Sequence, residues 1–217
     1  MIAHEINNLL TPVGNYARLA LKNPSDKELI LKTLQKTVRN YEQAAKLQDS
    51  MLAMTNGQKQ NKQNCNLRSL VDEVFYCISR DFRKDRIKVD INIPEKLEIW
   101  GQPVQIQHVL MNMILNGREA MLPSGGTLTI NGWQEDGRSF IEVTDTGRGI
   151  GPAEIDSIFE PFFTTKKTHQ GSTRSTGGLG LAFCKQIVEV HNGSISVDSQ
   201  LGKGTKFTIA LSISDKS

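Results

Sequence analysis

Cysteine is scarce in this sequence: Cys65, Cys77 and Cys184 are the only three, and no two lie close together. An odd number without metal-ligand spacing excludes a disulfide framework and fits reduced, buried thiols in a cytoplasmic protein. Charge of one sign is also lacking. Lys and Arg number 26 against 23 Asp and Glu, and the net charge of +3 gives no case for a nucleic-acid partner. No apolar run is long enough to cross a bilayer, and no signal peptide of basic, apolar and small-residue segments is present. These residues are therefore expected to make no direct membrane contact. No internal repeat is visible either. What remains is a chain of 217 residues, 38% hydrophobic, enough for one or two small domains with real cores.

The apolar period changes along the chain. Ile2, Ile6, Leu9, Val13, Tyr16 and Ala20 recur at spacings of four and three, one face of a helix. Asn23-Pro24-Ser25-Asp26 interrupts that pattern, and Ser25 with Glu28 has the spacing of a capping box for a second helix. The seam resumes at Leu31, Leu34, Val38, Tyr41, Ala45 and Leu52. Two such helices with a short connection make an antiparallel hairpin, which alone buries too little apolar surface to be secure. Pairing of two copies into a dimeric four-helix bundle is the expected solution. Residues 56–66 are polar, a natural linker between a hairpin at 1–55 and a second domain at 67–217.

That second domain mixes both periods. Leu67 to Ser79 reads as helix, and Ile87, Val89, Ile91 and Ile93 alternate as in a strand. A long helix follows from Gln105 to Met121, then strands at Thr127 to Trp133 and Arg138 to Thr144. Gly180 to Glu189 reads as helix, and Ser194 to Ser199 with Thr205 to Leu211 as a closing hairpin. Helices beside a largely antiparallel sheet give an α+β two-layer sandwich.

Four short elements in this domain carry chemistry. Asn112 and Asn116 lie four apart on the long helix, so both amides share a face, and an amide oxygen is a hard, neutral donor suited to Mg²⁺. Asp145-Thr-Gly147-Arg-Gly149-Ile-Gly151 follows a strand directly; its glycines permit a tight turn and close backbone approach. A carboxylate at that strand end can accept a hydrogen bond from the exocyclic amine of adenine. Phe159-Glu-Pro-Phe-Phe163-Thr-Thr-Lys166-Lys167 joins aromatic anchors to two lysines able to offer charge to phosphates. Gly177-Gly178-Leu179-Gly180-Leu181 stands where a helix begins, and backbone N–H groups there form an anion site. The polar stretch Thr168 to Thr176 between the last two reads as a lid over a nucleotide. Taken singly, each has a bland reading: surface asparagines, a common Gly-rich turn, a core aromatic cluster beside a solvated basic turn. Neither the dinucleotide fingerprint nor a P-loop is present.

In this order and spacing the four resemble the N, G1, F and G2 boxes of histidine kinases, within the gyrase/Hsp90/MutL-like ATPase superfamily. The resemblance implies ATP and Mg²⁺ as ligands. It implies that Asn116 ligates Mg²⁺, that Asn112 lies near the phosphates, and that Asp145 reads the adenine amine. Gly147 and Gly149 would shape the adenine pocket, and Gly178, Leu179 and Gly180 would flank the triphosphate. Hydrolytic relatives usually carry a water-activating glutamate where this chain has Asn112, and an amide cannot take that proton. The pocket is thus suited to another nucleophile.

His4-Glu5-Ile6-Asn7-Asn8-Leu9-Leu10-Thr11-Pro12 resembles the phosphoacceptor box of the same family. Neutral imidazole is a nucleophile near pH 7, and Glu5 can accept a hydrogen bond from one ring nitrogen while the other attacks. The resemblance implies a homodimeric, ATP-dependent autokinase that passes phosphate from His4 to an aspartate of a response-regulator receiver. Asn8, one turn after His4, would hold water for a receiver-phosphatase activity. His108, His169 and His191 lack such context and read as structural or exposed. The alternatives are a serine-directed kinase or hydrolytic machine of the superfamily, and a catalytically inactive dimeric scaffold that binds nucleotide and a receiver.

Four positions depart from the usual boxes. Pro12 comes three residues late, Gly117 replaces an alanine, Gln102 replaces an aspartate, and Gly177 takes a place often held by threonine. None is a reacting group. Gly117 reads as a helix-propensity cost of about 0.5–1 kcal/mol. Family hairpins extend upstream of the histidine, so a longer protein with a preceding sensor segment, membrane-anchored or soluble, is expected.

Overall fold

The computed structural model describes residues 2–38, 61–78, 81–161, 163 and 178–214, and the side chains of residues 1–10 are not among them. The chain forms two compact units, one within Met1–Thr55 and one built from Asn56–Phe163 and Gly178–Ser217.

In the first unit, α1 (Ile2–Lys22) contains Pro12 without a break in its helical assignment, and α2 covers residues 27–38. The cap of α2 differs from the expected one. Asp26, not Ser25, accepts the Leu29 N–H at 2.9 Å, and its carbonyl takes the first intrahelical bond from Ile30. A carboxylate at this position also answers the positive end of the helix. Asn23 closes α1 by donating from Nδ2 to the Leu19 carbonyl at 3.0 Å. Lys36 lies 5.0 Å from the Tyr16 ring centroid, so α2 runs back along α1. Leu31, Leu34 and Val38 of the seam are 60%, 48% and 55% exposed. The remainder of the seam, Tyr41, Ala45 and Leu52, lies outside the described residues.

The second unit is the α+β sandwich. Its main sheet has the order β2-β4-β5-β7-β6, formed by Ile87–Asn92, Gly126–Glu135, Arg138–Asp145, Gly204–Ser212 and Ser194–Gln200 respectively. Only β2 and β4 pair in parallel; the other pairs are antiparallel. A parallel pair needs a crossover, and α4 (Pro103–Ala120) lies in it. Pro103 at the first turn suits a helix start, where its missing N–H costs nothing. Helices α3 (Leu67–Ile78) and α6 (Gly180–Val190) flank α4, which packs on β4, β5 and β7. Ile106, Val109, Leu110, Met113 and Ile114 form the buried stripe of α4 against Leu128, Ile130, Ile141 and Val143 of the sheet.

Two strands were not expected from the sequence. β1 (Gln63–Asn66) lies at the end of the stretch read as linker, and it pairs antiparallel with β3 (Glu98–Gly101). A 3₁₀ turn at Phe82–Asp85 and the short α5 (Pro152–Ile155) are likewise too short to show a period in the sequence. Cys65 and Cys184 are buried as expected, but Cys77 is exposed on the outer face of α3. No helix among the described residues is long and apolar enough to cross a membrane.

Candidate nucleotide site

Strand β5 alternates strictly. Ser139, Ile141, Val143 and Asp145 are buried, while the residues between them are half-buried. Asp145 therefore falls on the core face by strand geometry alone, at the last position of the strand. It is 5% exposed, and burial pushes its carboxyl up to about 6. The Gly147 N–H donates to Oδ1 at 2.8 Å, and the Thr205 backbone N–H and the positive charge of Arg148 offset part of the cost. An ionised carboxylate can accept about four hydrogen bonds, so these two backbone donors leave it able to accept more.

The turn after Asp145 is clamped from two sides. Arg148 N–H donates to the Ala120 carbonyl at 3.1 Å, and the Arg148 carbonyl accepts from Gly202 at 2.7 Å. Ile150 N–H donates to Ser199 Oγ at 2.9 Å. A Cβ on Gly147 would stand 2.6 Å from the Ala120 backbone. Gly149 has φ +68° and no room for a Cβ beside the Gln200 carbonyl. Both glycines thus make room for the protein's own chain, which fixes the wall beside Asp145. Gly117, read from sequence as a propensity cost, lies against the same carboxylate. Its Cβ would stand 3.2 Å from Asp145 Cβ and 3.0 Å from Leu128 Cδ1. The residue type was noted in the sequence, but the contact depends on sheet register and had no signal there.

Asn112 and Asn116 are half-buried beside the buried stripe of α4. Gly178, at φ +66°, and Leu179 lead into α6, which Gly180 opens. The Asn112 amide oxygen lies 3.3 Å from where a Gly180 Cβ would be, so α4 and the start of α6 face one another. Phe159 is anchored edge-on to Phe207, ring centroids 6.3 Å apart. Phe162, Lys166, Lys167, His169, Gly177 and the Thr168–Thr176 segment lie outside the described residues. His4, Glu5 and Asn8 fall within α1, but their side chains are likewise outside the description. His191 is structural: its buried ring accepts the Gln102 N–H at Nε2, 3.0 Å, and bonds the Ile187 carbonyl through Nδ1 at 2.8 Å.

Mg²⁺ takes hard oxygen donors. No group of three His, Cys, Asp or Glu that could hold a metal occurs among the described residues. A lone amide oxygen such as that of Asn116 fits a hard cation only when phosphate oxygens and water complete its shell. The residues therefore fit a cation arriving with a triphosphate.

A buried acid at a strand end, a glycine turn locked beside it and a glycine-led helix opposite an amide define an ATP-binding sandwich. Residues 101–215, more than half the chain, match the family described as Histidine kinase-, DNA gyrase B-, and HSP90-like ATPase. The chain belongs to this family, and within it is a sensor-histidine-kinase catalytic core. Sensor histidine kinase ZraS of Salmonella typhi is 32% identical over 98% of this chain and 44% of that protein. The solved catalytic domain of histidine kinase ThkA is 28% identical, with a TM-score of 0.61 over 71% of this chain and 97% of that chain. Acinetobacter baumannii histidine kinase AdeS shares the fold over 98% of both chains, at a TM-score of 0.73 and 20% identity. The chain spans less than half the length of the curated relatives it matches.

Proposed function

We propose that the chain is the ATP-dependent autokinase core of a two-component system. It transfers the γ-phosphoryl group to His4 and then to an aspartate of a receiver domain. The observation that supports this reading is the buried carboxylate of Asp145, set against Gly117 of α4, the helix that also carries Asn112 and Asn116. A carboxylate so placed gains most from a donor such as the adenine exocyclic amine. Asn112 and Asn116 then face the phosphates, Asn116 holds Mg²⁺ bound with the triphosphate, and Gly178, Leu179 and Gly180 offer backbone N–H groups. Bound Mg²⁺ would neutralise charge on the phosphoryl oxygens. Lys166 and Lys167 add positive charge near the same group.

In the transfer, one ring nitrogen of His4 forms a bond to the γ-phosphorus. The bond from that phosphorus to the bridging oxygen breaks, and ADP leaves with the electron pair. Glu5 accepts the hydrogen bond of the other ring nitrogen and steadies the imidazolium. The working unit is a homodimer joined through the helical seam. Asn8, one turn beyond His4, holds water for attack on the receiver's acyl phosphate. Incubation with γ-labelled ATP and Mg²⁺ is the test. Label on protein that is acid-labile and base-stable, and absent from His4→Gln, supports the reading. Label on serine, label only as free phosphate, or nucleotide binding with no label at all refutes it.

A further inference from the structure

Strand β6 alternates exposed residues with half-buried ones, and the half-buried positions are Ile195, Val197 and Ser199. Two are aliphatic, but the third is a hydroxyl. It pairs with Thr205 of β7, which in turn stands across from Asp145 of β5. Ser199 Oγ has partners on three sides: the Ile150 nitrogen at 2.9 Å, the Gly204 carbonyl oxygen at 2.8 Å and Thr205 Oγ1 at 2.9 Å. An amide N–H can only donate and a carbonyl can only accept, so one oxygen accepts from Ile150 and donates to Gly204. It thereby joins the end of the turn after Asp145 to the base of the β6–β7 hairpin. The start and middle of that turn have their own holds. Thr146 Oγ1 accepts the Thr127 N–H at 2.9 Å, and Arg148 is held between Ala120 and Gly202. Within the turn, the Gly147 N–H engages Asp145 Oδ1 at 2.8 Å. The turn therefore orients the carboxylate, and Ser199 fixes its far end before the chain enters α5 at Pro152.

We propose that Ser199 is a positioning residue for base recognition: its hydroxyl pins Ile150 to the β6–β7 hairpin and keeps the turn that orients Asp145 in one conformation before nucleotide arrives. The proposal rests on the reading above that Asp145 accepts the adenine amine. Holding a loop in its bound geometry removes an ordering cost from binding. Without the hydroxyl, the Ile150 N–H and the Gly204 carbonyl lose their shared partner, and the turn shifts to find others. Asp145 then meets the base less well, because its own partner Gly147 moves with the turn.

The test compares affinity for ADP with affinity for inosine diphosphate, by calorimetry. The second ligand lacks the exocyclic amine, so the ratio reports base recognition and cancels what the phosphates contribute. Wild type should favour ADP. Ser199→Ala should lower that preference about fivefold, the worth of one hydrogen bond, chiefly through lost affinity for ADP. Ser199→Thr keeps the hydroxyl on a side chain that suits a strand and should retain most of the preference. A ratio unchanged in Ser199→Ala would overturn the proposal, and that includes the case in which both affinities fall together. So would a ratio lowered as far in Ser199→Thr as in Ser199→Ala. If wild type itself shows no preference, the reading of Asp145 fails and the proposal falls with it. Should Ser199→Ala not fold, hydrogen exchange of the Ile150 amide in the wild-type protein decides. Protection equal to that of the Arg148 amide before ADP is added supports the proposal. Exchange at the open-chain rate until ADP binds refutes it, because the ligand and not Ser199 then orders the turn.

Discussion

A buried carboxylate that titrates near neutrality binds its ligand in a pH-dependent way. Asp145 is raised from 3.8 to about 6, chiefly by burial. Its protonated form is favoured in the fold, so this group contributes stability fully below about pH 4 and loses it as pH rises through 6. At pH 7 the cost to the empty protein is at most about 3 kcal/mol. Asp145→Asn should therefore melt higher than wild type at pH 7 while binding adenosine at least tenfold more weakly. Wild-type affinity for adenosine, which has no phosphate to titrate, should fall between pH 7 and pH 5, and the mutant's should not. A flat wild-type profile would remove Asp145 from adenine recognition. Gly117→Ala tests the same spot from behind. It gains about 1 kcal/mol of helix propensity, but its methyl presses on Asp145 Cβ at 3.2 Å and Leu128 Cδ1 at 3.0 Å. Affinity for ATP should fall severalfold with little change in melting temperature, which calorimetry and a thermal scan would separate. Motif residues such as Asp145 and Gly147 were legible in the sequence. The contact of Gly117 was not, because it comes from which strands lie opposite that turn of α4.

Elements with a strong apolar period are legible in the sequence. α3, α4, α6 and strands β2, β4, β5, β6 and β7 lie where apolar alternation or the helical stripe places them. β1 was missed because Gln63-Asn-Cys-Asn66 is almost wholly polar and holds only through its ladder to β3. The cap of α2 was misplaced by one residue because Ser25 and Asp26 are both good caps and only local geometry chooses. The β1–β3 pair is tied to the far end of α6. Lys62 donates from Nζ to the Val190 carbonyl at 2.9 Å, where a cation suits the helix dipole. His191 bridges the same helix end to the first N–H ahead of α4, and Gly101 leaves the space its ring fills. Burial lowers the pKa of His191, so the stability it contributes is present above its unfolded value of 6.5 and lost as pH falls. His191→Ala should cost about 3 kcal/mol, from the vacated ring volume and the orphaned Gln102 N–H. Urea unfolding at pH 7.5 is the measurement, and a loss under about 1 kcal/mol would show that the bridge is dispensable.

At the scale of the whole molecule, the helical unit leaves apolar surface without cover. Leu31, Leu34 and Val38 recur at spacings of three and four on α2, each about half exposed or more, while Thr33 on the opposite side is buried. A row of this kind is normally closed by another helix, and a second copy supplies an identical row under twofold symmetry. Leu34→Lys places a charge in the middle of that row. It should shift sedimentation from dimer toward monomer and reduce autophosphorylation with it. Affinity for ATP should not change, since the sandwich carries the nucleotide residues within its own core. A mutant that remains dimeric at the wild-type dissociation constant would show that the row is not the interface. Given a dimer, complementation decides how the two units cooperate. His4→Gln subunits keep the nucleotide residues, and Asn116→Ala subunits keep the nucleophile. If transfer crosses the dimer, mixed subunits regain label on the Asn116→Ala chain, to about half the wild-type level at most. If transfer stays within one subunit, mixing restores nothing. Adding Leu34→Lys to both partners should abolish any complementation, which separates true exchange within a dimer from encounter between free chains.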